Sequence, residues 1–243
     1  MKLKFIGTGN VSSLERSNTS FLVDDKILFD VGSGTVRQLC IFNVDITIIE
    51  YVIISHFHND HILDIVDLLY RRKFNGANKK LSVIGPRGLR EYIKYLLTYP
   101  NDPDAPDVNT SIEDKFNMEF IEIDTEEISF DDYVLKAFTV KHDPILHCNG
   151  YILTNDNSSI AYSGDTELCE SLDNLVIGAN TVIIECSNTS EKKGHLSYDE
   201  VKSIAFDNLN RKFYAVHRGD YKVLEKVDNL SLPDDGEEIE IGD

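Results

Sequence analysis

The apolar residues of this chain come in short runs, rich in β-branched and aromatic side chains and broken by turn-forming or charged residues. LKFIG, SFLV, KILFDVG, YVIISH, LSVIG, VLKAFTVKH, IAYSGD, TVIIEC and KFYAVH succeed one another along the sequence. Runs of this kind predict β-strands. Between some of them the apolar spacing lengthens: Ile62, Ile65, Val66 and Leu69 follow an i, i+3, i+4, i+7 rhythm and predict a helix from about His61 to Arg72. A second helix is predicted after Ser197, where Ser197 and Glu200 have capping-box spacing and Val201, Ile204 and Ala205 supply an apolar stripe. The class is mixed α/β.

Two stretches fall outside this rhythm. Residues 99–107, YPNDPDAPD, contain three prolines and predict an irregular loop placed to border a functional site as a lid. Residues 233–243, PDDGEEIEIGD, are acidic at six of eleven positions and predict a flexible, solvated tail. The 243 residues and 42% apolar content suit a single domain spanning 1–243.

Charge narrows the partners. A formal net charge of −18 and a pI near 4.7 oppose a long RNA or DNA partner, which would need many phosphates neutralised. Arg71, Arg72, Lys73, Lys79 and Lys80 form a small basic group, read as a solvated helix end complementing the helix dipole. No stretch approaches the ~18 continuous apolar residues of a membrane span, and the first residues do not form a signal peptide. Cys40, Cys148, Cys169 and Cys186 are dispersed without CxxC spacing. Reduced cysteines and a cytoplasmic location are the expectation.

Candidate chemistry emerges from the residues at the strand ends. VIIS ends in His56, FTVK in His142, IAYSG in Asp165 and FYAV in His217, so four strands deliver a histidine or aspartate at their C-terminal ends, where α/β sheets place ligand sites. In ISHFHNDHILDIV, His56 and His58 lie two apart on an extended turn and can share a side, whereas Asp60 and His61 open the helix and present a second pair. Imidazole and carboxylate donors suit two divalent transition metal ions, zinc foremost with manganese or iron as alternatives, about 3.5–4 Å apart if a carboxylate bridges them. His147, five residues beyond His142, competes for the ligand position, but His142 directly ends its strand. Asp30 and Gly32 read as shaping a turn beside the site.

HFHNDH matches the HxHxDH signature of the metallo-β-lactamase fold, and FIGTGN, RSNTSFLV, ILFDVGSGTVRQL, IGPRGL, GYIL, YSGDT, IIECS and GHLSYDEV resemble its ribonuclease Z branch. The resemblance implies an αββα sandwich with a dinuclear site. In that scheme His56, His58 and His142 bind one metal, Asp60, His61 and His217 the other, and Asp165 bridges them. Asp60 and His195 are the catalytic residues implied, with His195 protonating the leaving oxygen. Where the branch continues its last histidine with Ser and an Arg-Tyr pair, this chain reads HRGDY. A homodimer is also implied.

A metal-bridging hydroxide would hydrolyse an electrophile whose developing charge the metals stabilise, and an acid such as His195 suits a phosphodiester. Ribonuclease Z enzymes carry a long basic arm for tRNA, often between the histidine corresponding to His142 and the bridging aspartate. Only 23 positions separate His142 from Asp165, too few for it. The expected substrate is therefore small, foremost a 3′,5′-cyclic nucleotide, as in the phage-type anti-Pycsar phosphodiesterases that this arm-less pattern resembles. The alternatives are tRNA 3′-end cleavage, lactone or β-lactam hydrolysis, and a metal-binding sensor on a retained fold.

Overall fold

All nine apolar runs form strands in the computed structural model, which describes residues 1–98, 111–190, 192–221 and 227–242. The proline-rich stretch 99–107 lies outside the described residues. Six strands build a first sheet: β1 (Lys2–Gly7), β2 (Ser20–Val23), β3 (Ile27–Phe29), β4 (Tyr51–Ile53), β5 (Leu81–Gly85) and β6 (Met118–Glu122). Seven build the second: β7 (Glu127–Phe130), β8 (Tyr133–Thr139), β9 (Asn149–Asn155), β10 (Ser158–Tyr162), β11 (Thr181–Glu185), β12 (Lys212–Val216) and β13 (Leu230–Ser231). A last strand, β14 (Glu238–Glu240), returns to pair antiparallel with β1. Each sheet runs antiparallel through its first strands and parallel from β3 to β6 or from β10 to β13. Parallel neighbours need crossovers, and helices supply most of them.

Side-chain alternation explains the layers. Leu22 and Leu28, paired across β2 and β3, face outward onto Val36, Leu39 and Leu68. Those residues belong to α1 (Thr35–Ile41) and α3 (Ile65–Phe74); α2 (Asn59–Ile62), α4 (Leu89–Leu97) and α5 (Ile112–Phe116) lie along the same half of the chain. The alternate residues Phe21, Val23, Ile27 and Phe29 face inward and meet Tyr151, Leu153, Ile160 and Tyr162 of the second sheet. Phe21 and Phe29 stack at 4.6 Å, with the Tyr162 ring edge-on to both. On the far side Ala161, Val182, Ile184 and Phe213 pack beneath α6 (Glu170–Gly178) and α7 (Tyr198–Asp207). The result is the expected αββα sandwich.

Two expectations need correction. The helix predicted from His61 to Arg72 is two helices, α2 and α3, separated at Leu63–Asp64. Asp64 is drawn into the β3–α1 connection instead: its carboxylate accepts from the Val36 amide at 3.0 Å and its own amide donates to the Val31 carbonyl at 3.0 Å. The helix after Ser197 does begin with the predicted capping box.

The acidic ending is the second correction, because it is not a free tail. Glu238, Ile239, Glu240 and Ile241 alternate with period two, so the isoleucines join the core between the sheets while Glu238 pairs with Lys2 and Lys4 at 3.1 and 3.0 Å. Counting charges hides that alternation. Asp235 fastens the approach, accepting from the Thr8 amide and hydroxyl at 2.9 Å each and from the Ser17 amide at 2.7 Å. No helix among the described residues is long and apolar enough to cross a membrane.

Replacing Asp235 by Ala leaves three donors without their acceptor and should cost about 1–3 kcal/mol of unfolding free energy. Urea denaturation checks this; an unchanged midpoint would mean that residues 233–242 do not contribute to the fold.

Candidate metal centre

Residues from both sheets converge at the carboxyl ends of the parallel strands. His56 and His58 follow β4, Asp60 and His61 lie in α2, His142 follows β8, Asp165 follows β10, His195 precedes α7 and His217 follows β12. Close backbone approach makes this possible: a Cβ on Gly32 would lie 1.8 Å from the Asp60 carbonyl oxygen, so only glycine lets the β3–α1 loop press against α2. His217 itself takes a positive φ of 55°, which turns its ring back toward the cleft.

All eight residues singled out in the sequence meet here. His58 Nδ1 lies 2.9 Å from His56 Nε2 and 3.1 Å from His142 Nε2, a first group of three imidazoles. Asp60 Oδ2 lies 3.7 Å from His61 Nε2 and 3.3 Å from His217 Nε2, forming a second group. Asp165 Oδ2 faces both, at 3.9 and 3.8 Å from the Nε2 atoms of His56 and His142 and at 3.4 and 3.3 Å from those of His61 and His217. His195 Nδ1 is 3.8 Å from the same oxygen. His147 stays outside, exposed and 3.9 Å from Asp124.

The rings are aimed from behind. His61 Nδ1–H donates to Asp30 at 2.7 Å and His142 Nδ1–H to the Gly194 carbonyl at 2.6 Å. Ser55 and Ser187 hydroxyls hold the Nδ1 atoms of His56 and His217 at 3.0 and 3.1 Å. Each of these four rings therefore turns Nε2 into the cleft, an orientation that metal-binding histidines usually owe to such partners. His61 Nε2 and Asp165 Oδ1 are buried and find no hydrogen-bond partner among the described residues. Buried polar atoms in that condition are costly unless something else satisfies them, and a cation would.

Electrostatics agrees with the geometry. Burial works against charge on His61, but Asp165 and Asp30 outweigh it and hold the ring well above the usual imidazole range. Burial holds His56 well below that range, with His61 adding to the effect. Burial opposes ionisation of Asp60 too, yet its hydrogen bond with His217 and the nearby His61 hold the carboxyl down to about 2. The pocket favours positive charge between Asp60, Asp165 and Asp30, and neutral imidazoles around it. These donors fit divalent cations.

Two further residues matter here beyond what sequence reasoning assigns them. Asp30 reads in the sequence as a turn former; it does take a positive φ of 51°, but its buried carboxylate also accepts four hydrogen bonds, including that of His61. Glu185 is missed by the sequence altogether. It ends β11, is fully buried, accepts from the Thr166 amide at 2.7 Å and stands 3.2 Å from His195 Nδ1. Burial and the adjacent Asp165 push its carboxyl well above the usual range. The strand-end rule that finds His56 and Asp165 would find it too, were glutamate counted.

Two stacked sheets flanked by helices, with HxHxDH at a strand end and its partners gathered from both halves, define a metallo-β-lactamase fold. The chain belongs to the family described as Anti-Pycsar protein Apyc1, whose model matches residues 1–230. Among curated proteins it is 30% identical over 158 residues to a ribonuclease Z of Limosilactobacillus reuteri, an alignment covering 62% of this chain and 48% of that protein. A ribonuclease Z of Bacillus mycoides is 31% identical with the same coverage, so the chain spans about half the length of these relatives. Its fold is shared with YhfI of Bacillus subtilis (TM-score 0.76, 18% identity, 98% of both chains). It is also shared with the short form of human tRNase Z (TM-score 0.74, 20% identity, 99% of both chains).

Substituting Ala for Asp30 should lower unfolding free energy by at least about 3 kcal/mol, because four donors lose a charged buried acceptor. The same change should weaken divalent-metal binding about 10- to 100-fold through the loss of His61 orientation. Urea unfolding and titration against a chromophoric chelator measure the two effects; unaltered metal affinity would remove Asp30 from the site.

Proposed function

We propose that the chain is a metal-dependent phosphodiesterase that hydrolyses a small phosphodiester, foremost a 3′,5′-cyclic nucleotide to its nucleoside monophosphate. The observation that carries this reading is the convergence of two donor groups on Asp165 with His195 alongside. His56, His58 and His142 would hold one divalent cation, Asp60, His61 and His217 the other, and Asp165 would join them. When bound, such a pair acidifies water and neutralises charge developing on a phosphoryl group. Zinc suits the imidazole-rich donor set, and a cytoplasmic homodimer completes the reading. The free state of all four cysteines is consistent with a reducing compartment.

The protein's own residues supply the remaining steps. Glu185 lies 3.2 and 3.3 Å from His195 Nδ1 through its two oxygens, which orients the ring and leaves Nε2 free to give a proton to a departing alkoxide. Asp60, the other catalytic residue of this reading, stands 3.3 Å from His217 Nε2 and would share the second cation with it. The family description, Anti-Pycsar protein Apyc1, supports the small-substrate reading.

Cleavage of tRNA 3′ ends is the second reading, favoured by the ribonuclease Z relatives. The basic group offers little grip for it. Arg71 pairs with Asp67, Lys79 with Glu50 and Lys80 with Glu119, while Arg72 is buried and bonds backbone carbonyls. Such a surface suits a compact anion better than a folded polyanion.

Metal-loaded protein should convert at least one cyclic mononucleotide, and chelation should abolish the reaction. Replacing His195 by Ala should reduce kcat about 10²- to 10⁴-fold while bound metal is retained. Chromatography of products with metal analysis of the same sample decides it. Failure on every cyclic nucleotide, or preferential cleavage of precursor tRNA, would contradict the lead reading.

A further inference from the structure

The turn Lys192-Lys193-Gly194-His195 lies against the cleft. The His195 amide donates to the Lys192 carbonyl at 3.0 Å, and the two residues are antiparallel bridge partners. Residues directly opposite in such a pair send their side chains to one face, with Cβ atoms about 5 Å apart. Lys192 and His195 therefore leave the turn together, whereas Lys193 occupies its tip. The site itself fixes the turn: Gly194 has a φ of 82°, and a Cβ there would fall 3.0 Å from the His142 carbonyl oxygen. Its carbonyl orients His142, and its amide donates to Glu167 at 2.9 Å.

A cavity of about 390 Å³ opens beside this turn, lined by Glu167, Leu168, Lys192, Lys193, His195 and Glu200. Its carboxylates are already engaged, Glu167 by Lys141 and Gly194, and Glu200 by the Ser197 amide and hydroxyl at 2.7 and 2.6 Å. Lys192 is exposed, and among the described residues no ion pair engages its ammonium. Burial is the main force lowering the His195 pKa, and the Lys192 charge adds to it. A cation with no ion pair among the described residues thus stands beside the proposed acid in a chain carrying −18.

We infer that Lys192 holds a non-bridging phosphoryl oxygen of the substrate next to the His195 ring, and thereby makes the site prefer an anionic phosphodiester to a neutral ester, lactone or amide. The inference rests on the phosphodiesterase reading above. A lysine ammonium offers three donors and a localised charge, enough to bind a phosphoryl oxygen without the bidentate geometry of arginine.

K192Q should raise KM for the phosphodiester about 10- to 100-fold with kcat altered far less, the loss expected for one charged hydrogen bond. K192R should recover most of that loss, and K193Q, which removes the same charge from the turn tip, should change KM less than about 3-fold. Equal KM values for wild type and K192Q, or equal losses in K192Q and K193Q, overturn the inference and leave the phosphodiesterase reading standing. If wild type turns over no phosphodiester, that reading falls and orthophosphate binding decides the inference. Calorimetry on metal-loaded protein should then show orthophosphate held about 10-fold more weakly by K192Q than by wild type or K193Q. No orthophosphate binding by wild type, or equal affinities, overturns it.

Discussion

Asp30 is fully buried, and its two oxygens take hydrogen bonds from the Ser55 amide and hydroxyl, from His61 and from Tyr162. Ser55 and His61 belong to the first half of the chain, and Tyr162 ends a strand of the second sheet. One carboxylate therefore fastens the two sheets together at the floor of the cleft. The joint that aligns the layers also aims an imidazole, so fold and chemistry share a single buried charge. Such a charge is tolerated only when its hydrogen bonds are complete.

The cleft above it holds opposed demands. Imidazoles of His56 and His142 both lie within hydrogen-bond distance of His58, and carboxylates of Asp60 and Asp165 stand close by. Neutral rings alone would leave the carboxylates unpaired, and fully protonated rings would repel each other. Divalent cations answer both demands, since they need lone pairs from the rings and negative charge from the aspartates. The unpartnered His61 Nε2 and Asp165 Oδ1 are the local sign of those demands.

Much of this is legible in the sequence because the relevant signals are local. Buried strands such as LSVIG and TVIIE declare themselves by short clusters of apolar, mostly β-branched residues, and HFHNDH concentrates four donors in six positions. What escapes depends on distant contacts. Asp64 breaks a regular helical pattern only because Val31 and Val36 come to meet it. The EIEI ending becomes a strand only because β1 offers an edge, with Lys2 and Lys4 to neutralise Glu238. Glu185 ends its strand as His56 and Asp165 follow theirs, but its pairing with His195 is a tertiary contact that the sequence does not announce. Strand-end chemistry is thus visible, while the groups that steady it are not.

The central claim is that this cleft is built for two cations joined by Asp165. Anomalous diffraction from metal-loaded crystals tests it most directly. The account predicts two peaks in one cleft, one enclosed by His56, His58 and His142, the other by Asp60, His61 and His217, with the Asp165 carboxylate between them. A single peak, or peaks bound by other residues, would contradict it.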